Sequence, residues 1–225
     1  MDKLIYVLLD GVGDRPNPKL NYLTPLEAAY TPNLDKLVRK GISGIVHPVG
    51  KGISPESDIA VFCMLGYDFS SNYFGRGVVE TIGVGMNFKN GDLALRANFA
   101  TLGDNGIVTD RRAGRNLSQK EAGDLADSIN NAKLSHNASF EFVPTIAHRA
   151  ILNLKTENKK LSAEISNTDP AYDRIGGIGV AKETNEELYL QKSRPLKDIE
   201  GARLAADLVN EFTEKAISIP PIRSY

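Results

Sequence analysis

Three groups of residues in this sequence have the types and spacing that chemistry needs. The first is Asp10, which directly follows the uninterrupted apolar run Leu-Ile-Tyr-Val-Leu-Leu at 4–9. Ligands of open α/β sheets bind at the carboxyl edge of the strands, and a carboxylate there can hold a hard divalent cation. The plainer alternative is a loop acid that caps a turn. The second is Ser57. Gly52, Pro55 and Glu56 turn the chain, and Ser57-Asp58 then open a helical stretch. Serine and aspartate are common helix caps. The same geometry aims a hydroxyl at free N–H groups and the positive end of the helix dipole, where a phosphate or a serine alkoxide is stabilised. A bound divalent metal would lower the hydroxyl's pKa further and make it a nucleophile near neutral pH. The third is the run Asp110-Arg111-Arg112-Ala113-Gly114-Arg115. Guanidinium forks around a glycine suit phosphate and carboxylate together, although a solvated surface loop would read the same way. Arg96, His148 and Arg149 lie on strand candidates nearby and can add to such a pocket. His47 and His136 show no partners, Cys63 and Met64 read as helix core, and Asn167-Thr168-Asp169-Pro170 reads as a turn.

These residues need elements to position them. The run at 4–9, apolar on both faces, suits a buried parallel strand stopped by Gly11, Gly13 and Pro16. Thr31, Pro32 and the spacing of Leu34, Leu37 and Val38 predict a helix ended by Gly41; 42–49 then reads as a second strand and 57–65 as a second helix. Strand, helix, strand, helix argues for an α/β sheet with mostly parallel strands. The rhythm changes near residue 85. Residues 92–99 alternate, with Leu93, Leu95, Ala97 and Phe99 on one face, and 138–143 and 147–154 are further strand candidates. Ser118 and Glu121 are spaced as a capping box. These predict a smaller mixed α/β unit with antiparallel pairing. A long amphipathic helix is expected from Pro195, with Leu196, Ile199, Ala202, Ala206, Val209 and Phe212 as its stripe. The expected organisation is therefore a sheet domain from 1–84 and 195–216, an insertion at 85–190, and a tail at 217–225.

The chain has 225 residues, 24% charged and 41% hydrophobic, enough for a sizeable core without staples. Lysine and arginine (27) nearly balance aspartate and glutamate (28), so no global positive field exists and bulk nucleic-acid binding is not expected. One cysteine excludes an internal disulfide framework and a cysteine-rich zinc site. No apolar stretch approaches the roughly 18–20 residues of a membrane span, and no small-residue cleavage site follows the first apolar run. The expected address is the cytoplasm, with no membrane partner.

Several motifs then stand together in order: LLDGVGDRP (8–16), TPNLDKL (31–37), GISGIVHPVGKG (41–52), SDIAVFCMLGYD (57–68), GRGVVETIGVG (75–85), LRANFAT (95–101) and DRRAGR (110–115). They resemble the archaeal-type cofactor-independent phosphoglycerate mutases of the alkaline phosphatase superfamily, over most of residues 1–180. The resemblance implies an alkaline-phosphatase-like core carrying an inserted substrate domain. It implies interconversion of 3-phosphoglycerate and 2-phosphoglycerate through a phosphoserine, with two divalent ions, manganese or magnesium. By motif position Asp10 would be a metal ligand and Ser57 both metal ligand and nucleophile. Arg111, Arg112 and Arg115, with Asp110, His148 and Arg149 around them, would hold the substrate. An inserted domain that closes would keep water out while glycerate turns.

The sequence also departs from the family pattern. The resemblance implies further metal ligands in an Asp-x-x-x-His segment and a later Asp-His pair, and neither occurs here; His47, His136 and His148 all lie before residue 150. The expectation is a fragment of a longer enzyme, completed by a complementary half, or a shortened relative that pairs with a second copy. Where the family motif reads Gly-Ser-Asp-x-Ala-His, this chain has Glu56 and Val61 at the outer positions, and Ala171 follows Asp169-Pro170 where the family often has histidine. Two alternatives therefore stand beside a mutase: a related metal-dependent phosphatase or phosphomutase, and a non-catalytic chain that binds a phospho-ligand or a partner.

Overall fold

The alternation at 92–99 forms the strand it predicts. A computed structural model describes residues 3–9, 11–52, 57–68, 74–175, 178–182 and 187–220. Strand β1 (Leu93–Asn98) pairs antiparallel with β5 (Arg149–Thr156), which also pairs with β4 (Ala138–Pro144), giving the order β1-β5-β4. The register sets Leu93 opposite Leu154, Leu95 opposite Leu152 and Ala97 opposite Ala150. One face of the sheet is thus aliphatic, and the other carries Arg96, Asn98, Arg149 and Asn153. Small hairpins β2 (Thr101–Leu102) with β3 (Val108–Asp110), and β6 (Tyr172–Ile175) with β7 (Ile178–Ala181), complete a mixed α/β arrangement with small antiparallel sheets.

The chain divides into two units, Met1–His47 and Pro48–Tyr225. In the first, α1 (Pro25–Ala28) is closed by a capping box between Thr24 and Glu27, and α2 (Pro32–Lys40) starts on Pro32 as its sequence predicts. The two expected strands are not strands here. Residues 4–9 and 42–47 run without ladder partners; Leu4, Ile5, Ile42 and Ile45 are 84% or more exposed. An apolar run becomes a parallel strand only when neighbours take up its N–H and C=O groups and helices cover both faces. The described residues supply neither, so the expected parallel core sheet does not form among them. Leu34, Leu37 and Val38 of α2 are exposed for the same reason.

The second unit holds α3 (Ser57–Met64), α4 (Arg76–Gly83), α5 (Gln119–Asn130) and α6 (Glu200–Ile217). Helices α5 and α6 bury Ala126, Ile129, Ala202, Ala205, Leu208 and Phe212 in one cluster with Leu93, Leu152 and Leu154. Phe142 stands edge-on to Phe99 at 5.6 Å and tilted against Phe212 at 5.6 Å. The long C-terminal helix thus packs on the antiparallel sheet, because its stripe meets the sheet's aliphatic face. It also starts later than Pro195. Pro195 bridges to Ile165, and Leu196 N–H donates to the Glu164 carbonyl at 2.8 Å, which holds this stretch extended. Helix α4 lies across the polar face: at Gly77 a Cβ would collide with the Ala94 carbonyl oxygen, so only glycine permits this approach.

Candidate functional site

The arginine-rich run leaves the end of β3 as a tightly wound loop. Asp110 organises it: one carboxylate oxygen accepts from Arg112 N–H at 2.7 Å and the other from Gly114 N–H at 2.8 Å. Ala113, Gly114 and Arg115 all have positive φ (44°, 67° and 55°). Two of these are not glycine, so the left-handed backbone is strained and the Asp110 bonds help to hold it. Arg112 and Arg115 are exposed on this loop.

Arg111 points elsewhere. Its Nε donates to Asp169 Oδ1 at 3.0 Å and its Nη2 to Asp169 Oδ2 at 2.6 Å. Its guanidinium carbon lies 4.9 Å from the centre of the Tyr172 ring. These contacts raise the Arg111 pKa, with the Asp169 hydrogen bonds as the main cause. Asp169 is 58 residues away in sequence and reads there only as a turn residue. Nothing local to either residue marks the pairing.

His148 and Arg149 lie where β5 begins. His148 is buried, with Nδ1 lacking a hydrogen-bond partner among the described residues, and Arg149 Nε is buried in the same condition. The His148 pKa is lowered, first by burial and then by the positive charges of Arg149, Arg96 and Arg115, with Asp110 opposing. The backbone brings these elements together: Phe99 N–H donates to the His148 carbonyl at 2.7 Å and Thr101 pairs with Asp110, so the end of β1, the start of the 110–115 loop and the start of β5 meet. On the sheet's polar face, Arg76 Nε and Arg96 Nε approach the same Glu80 oxygen, at 2.6 and 3.8 Å. Glu80 thus also belongs near this cluster; it lies inside the 75–85 motif, but its sequence context gives it no role beyond the helical spacing from Arg76. Counting Glu80 and its partner Arg76 as well, the arginines here still outnumber the carboxylates, and the excess of positive charge favours an anion.

Ser57 is the first residue of α3 and is exposed. Asp10 lies outside the described residues. A carboxylate and a hydroxyl suit a hard cation in kind but fall well short of its roughly six oxygen ligands. Among the described residues no three histidine, cysteine, aspartate or glutamate side chains come together. The described residues do not by themselves make a complete metal site. No helix among the described residues is long and apolar enough to cross a membrane.

Residues 38–220 match the family of 2,3-bisphosphoglycerate-independent phosphoglycerate mutases. This chain belongs to that family. It is 42% identical to the 2,3-bisphosphoglycerate-independent phosphoglycerate mutase of Aeropyrum pernix, over 96% of its own length and 51% of the relative's. It is 38% identical to that of Methanopyrus kandleri, over 96% and 48%. It superposes on the cofactor-independent phosphoglycerate mutase structure from Thermoplasma acidophilum with a TM-score of 0.51 at 39% identity, covering 93% of this chain and 50% of that one. The chain spans about half the length of the curated mutases it matches. Ser57, the 110–115 loop, His148 and Arg149 all lie inside the stretch matched to the mutase family, and Asp10 precedes it.

Proposed function

We propose that this chain supplies the phosphoglycerate-binding and nucleophile-bearing part of a phosphoglycerate mutase, an isomerase that interconverts 3-phosphoglycerate and 2-phosphoglycerate. What carries this is an arginine loop with Arg112 and Arg115 exposed, brought by the Thr101–Asp110 pairing and the Phe99–His148 hydrogen bond to the same end of the sheet as Arg149, in a chain of this family. A phosphoglycerate has a phosphate and a carboxylate on one short skeleton, and forked guanidinium groups answer both. Arg115 and Arg149 bind the anion, Arg112 at the loop rim adds to the field, and Asp110 holds the loop in shape. In the transfer, Ser57 Oγ attacks phosphorus as the bond from phosphorus to the glycerate oxygen breaks. The serine proton leaves and the departing oxygen gains one. The second glycerate hydroxyl then attacks the phosphoserine, releasing Ser57 and giving the isomer. The exposed start of α3 favours the charge that develops on Ser57 Oγ.

By resemblance to the family, Asp10 and Ser57 are the oxygens of this chain assigned to divalent ions, manganese or magnesium. Residues 1–84 are assigned to an alkaline-phosphatase-like core and 85–190 to the substrate domain, in the cytoplasm.

Calorimetric titration of the 225-residue chain with 3-phosphoglycerate tests the binding. The expected result is saturable binding that weakens about ten-fold or more in Arg115→Ala and in Arg149→Ala, the scale of a lost hydrogen bond to a charged group. Equal binding by both variants would refute it. Mass spectrometry of Ser57 after incubation with substrate and Mn²⁺ tests the transfer. Val61, where the family motif has histidine, favours a second reading in which the chain binds phosphoglycerate without turning it over; binding with no phosphoserine would select that one.

A further inference from the structure

We propose that Asp169 is a positioning residue of the anion-binding loop. It holds Arg111 out of the substrate's reach and makes it the strut that aims Arg115. The inference rests on the phosphoglycerate-binding reading above.

The geometry is a two-point clamp. Both Asp169 oxygens receive Arg111, at 3.0 and 2.6 Å, and Oδ1 also accepts the Ala171 N–H at 3.0 Å. The turn that carries Asp169 is anchored independently: Pro170 and Ala171 are buried, Gln191 N–H donates to the Thr168 carbonyl at 3.1 Å, and Lys182 N–H to that of Ala171 at 2.8 Å. The Tyr172 ring supports the guanidinium face. On the other side, Asp110 winds residues 112–114 into a strained loop with its own carboxylate. Internal bonds fix the loop's shape but not its direction. Direction comes from Arg111, the residue between the Asp110 hinge and the positive-φ stretch that ends at Arg115. The pair is partly buried, with side chains 23% and 30% exposed, and its two-point geometry fixes the direction of the guanidinium as well as adding to stability. Nε and one Nη2 hydrogen of Arg111 are committed to Asp169, so the fork that would grip a second carboxylate or phosphate through that edge is already taken. Three arginines in the motif therefore divide into one strut and two that face solvent.

Simple electrostatics and positioning predict opposite signs for Asp169→Asn. Removing a negative charge beside a cationic cluster, and releasing Arg111, should tighten anion binding. If Asp169 positions the loop, binding weakens instead. The full 225-residue chain is titrated with 3-phosphoglycerate by calorimetry, in parallel with Asp169→Asn and Arg115→Ala. Arginine Nε–Hε correlations are followed by NMR. The expected result is about ten-fold weaker binding in Asp169→Asn, the scale of a slightly misplaced binding group. The Arg111 Nε–Hε signal should move in Asp169→Asn but not on adding ligand to the unaltered chain, whereas the Arg115 signal should move with ligand. Arg111→Lys keeps the charge and loses the fork; it should weaken binding similarly, and it decides the matter if Asp169→Asn does not fold. Unchanged or tighter binding in the folded variant, or an Arg111 signal that follows ligand directly, overturns the proposal. If Arg115→Ala weakens binding while Asp169→Asn does not, only this inference falls. If the unaltered chain binds no 3-phosphoglycerate, the parent reading falls and takes this inference with it.

Discussion

His148 is the residue whose protonation reports on the whole site. Burial and the cations of Arg149, Arg96 and Arg115 lower its pKa below the ordinary 6.5, and Asp110 only partly compensates. A histidine depressed in the folded state binds its proton later than in the unfolded chain. As pH falls through the unfolded value, the unfolded state takes up a proton the folded state refuses, so stability drops; above that value the group contributes nothing. Urea unfolding midpoints should therefore decline from about pH 7 to pH 5, and His148→Gln should flatten part of the decline. A bound phosphoglycerate, with its carboxylate and phosphate charges, would offset the arginine charges, so the His148 pKa read by NMR should rise on titration with 3-phosphoglycerate. A pKa that does not respond to ligand would place the anion elsewhere.

At the scale of elements, two local devices hold the frame on which the site sits. Ser118 and Glu121 cap α5 reciprocally: the Ser118 hydroxyl oxygen accepts from Glu121 N–H at 3.2 Å, and the glutamate carboxylate accepts from Ser118 N–H at 2.9 Å. Ser118→Ala should cost about 1 kcal/mol in a urea titration, with unchanged m-value. Helix α4 touches β1 so closely at Gly77 that a methyl group would strike a backbone carbonyl, which cannot swing aside. Gly77→Ala should cost about 1–3 kcal/mol and loosen the Arg76–Glu80–Arg96 contacts, measurable as a lower midpoint and a shifted Arg96 Nε–Hε signal. Stability equal to the unaltered chain would mean that α4 is free to lift from the sheet.

Across the whole molecule, hydrophobic surface is shared unevenly. The sheet, α5 and α6 bury a continuous core, whereas residues 4–9 and 42–46 expose Leu4, Ile5, Val7, Ile42, Ile45 and Val46. Contiguous apolar segments with unpaired backbone associate with whatever can add strands to them. The 225-residue chain alone should self-associate at micromolar concentration in sedimentation velocity, and a double change of Ile5 and Val7 to Lys should reduce that without moving the main thermal transition. A monodisperse monomer would show that these segments are covered.

Signals carried by a few neighbouring residues were legible in the sequence: the capping box at 118–121, the alternation of Leu93, Leu95 and Ala97, the stripe of α6, the start of α2 at Pro32, and the arginine run itself. Each depends on steric and hydrogen-bonding preferences that act within one or two turns of chain. What depends on partners far along the chain was decided only by the tertiary structure. The run at 4–9 has the composition of a buried strand but is a strand only where other strands pair with it. Pro195 can open a helix, yet Ile165 holds it extended. Arg111 has the same chemistry as Arg115, and only the approach of Asp169 across 58 residues makes one a strut and leaves the other facing solvent. Side-chain chemistry is local and can be read from the residue type. Which partner a charge or an apolar face finds is set by the fold's long-range contacts, and residue order alone does not specify them.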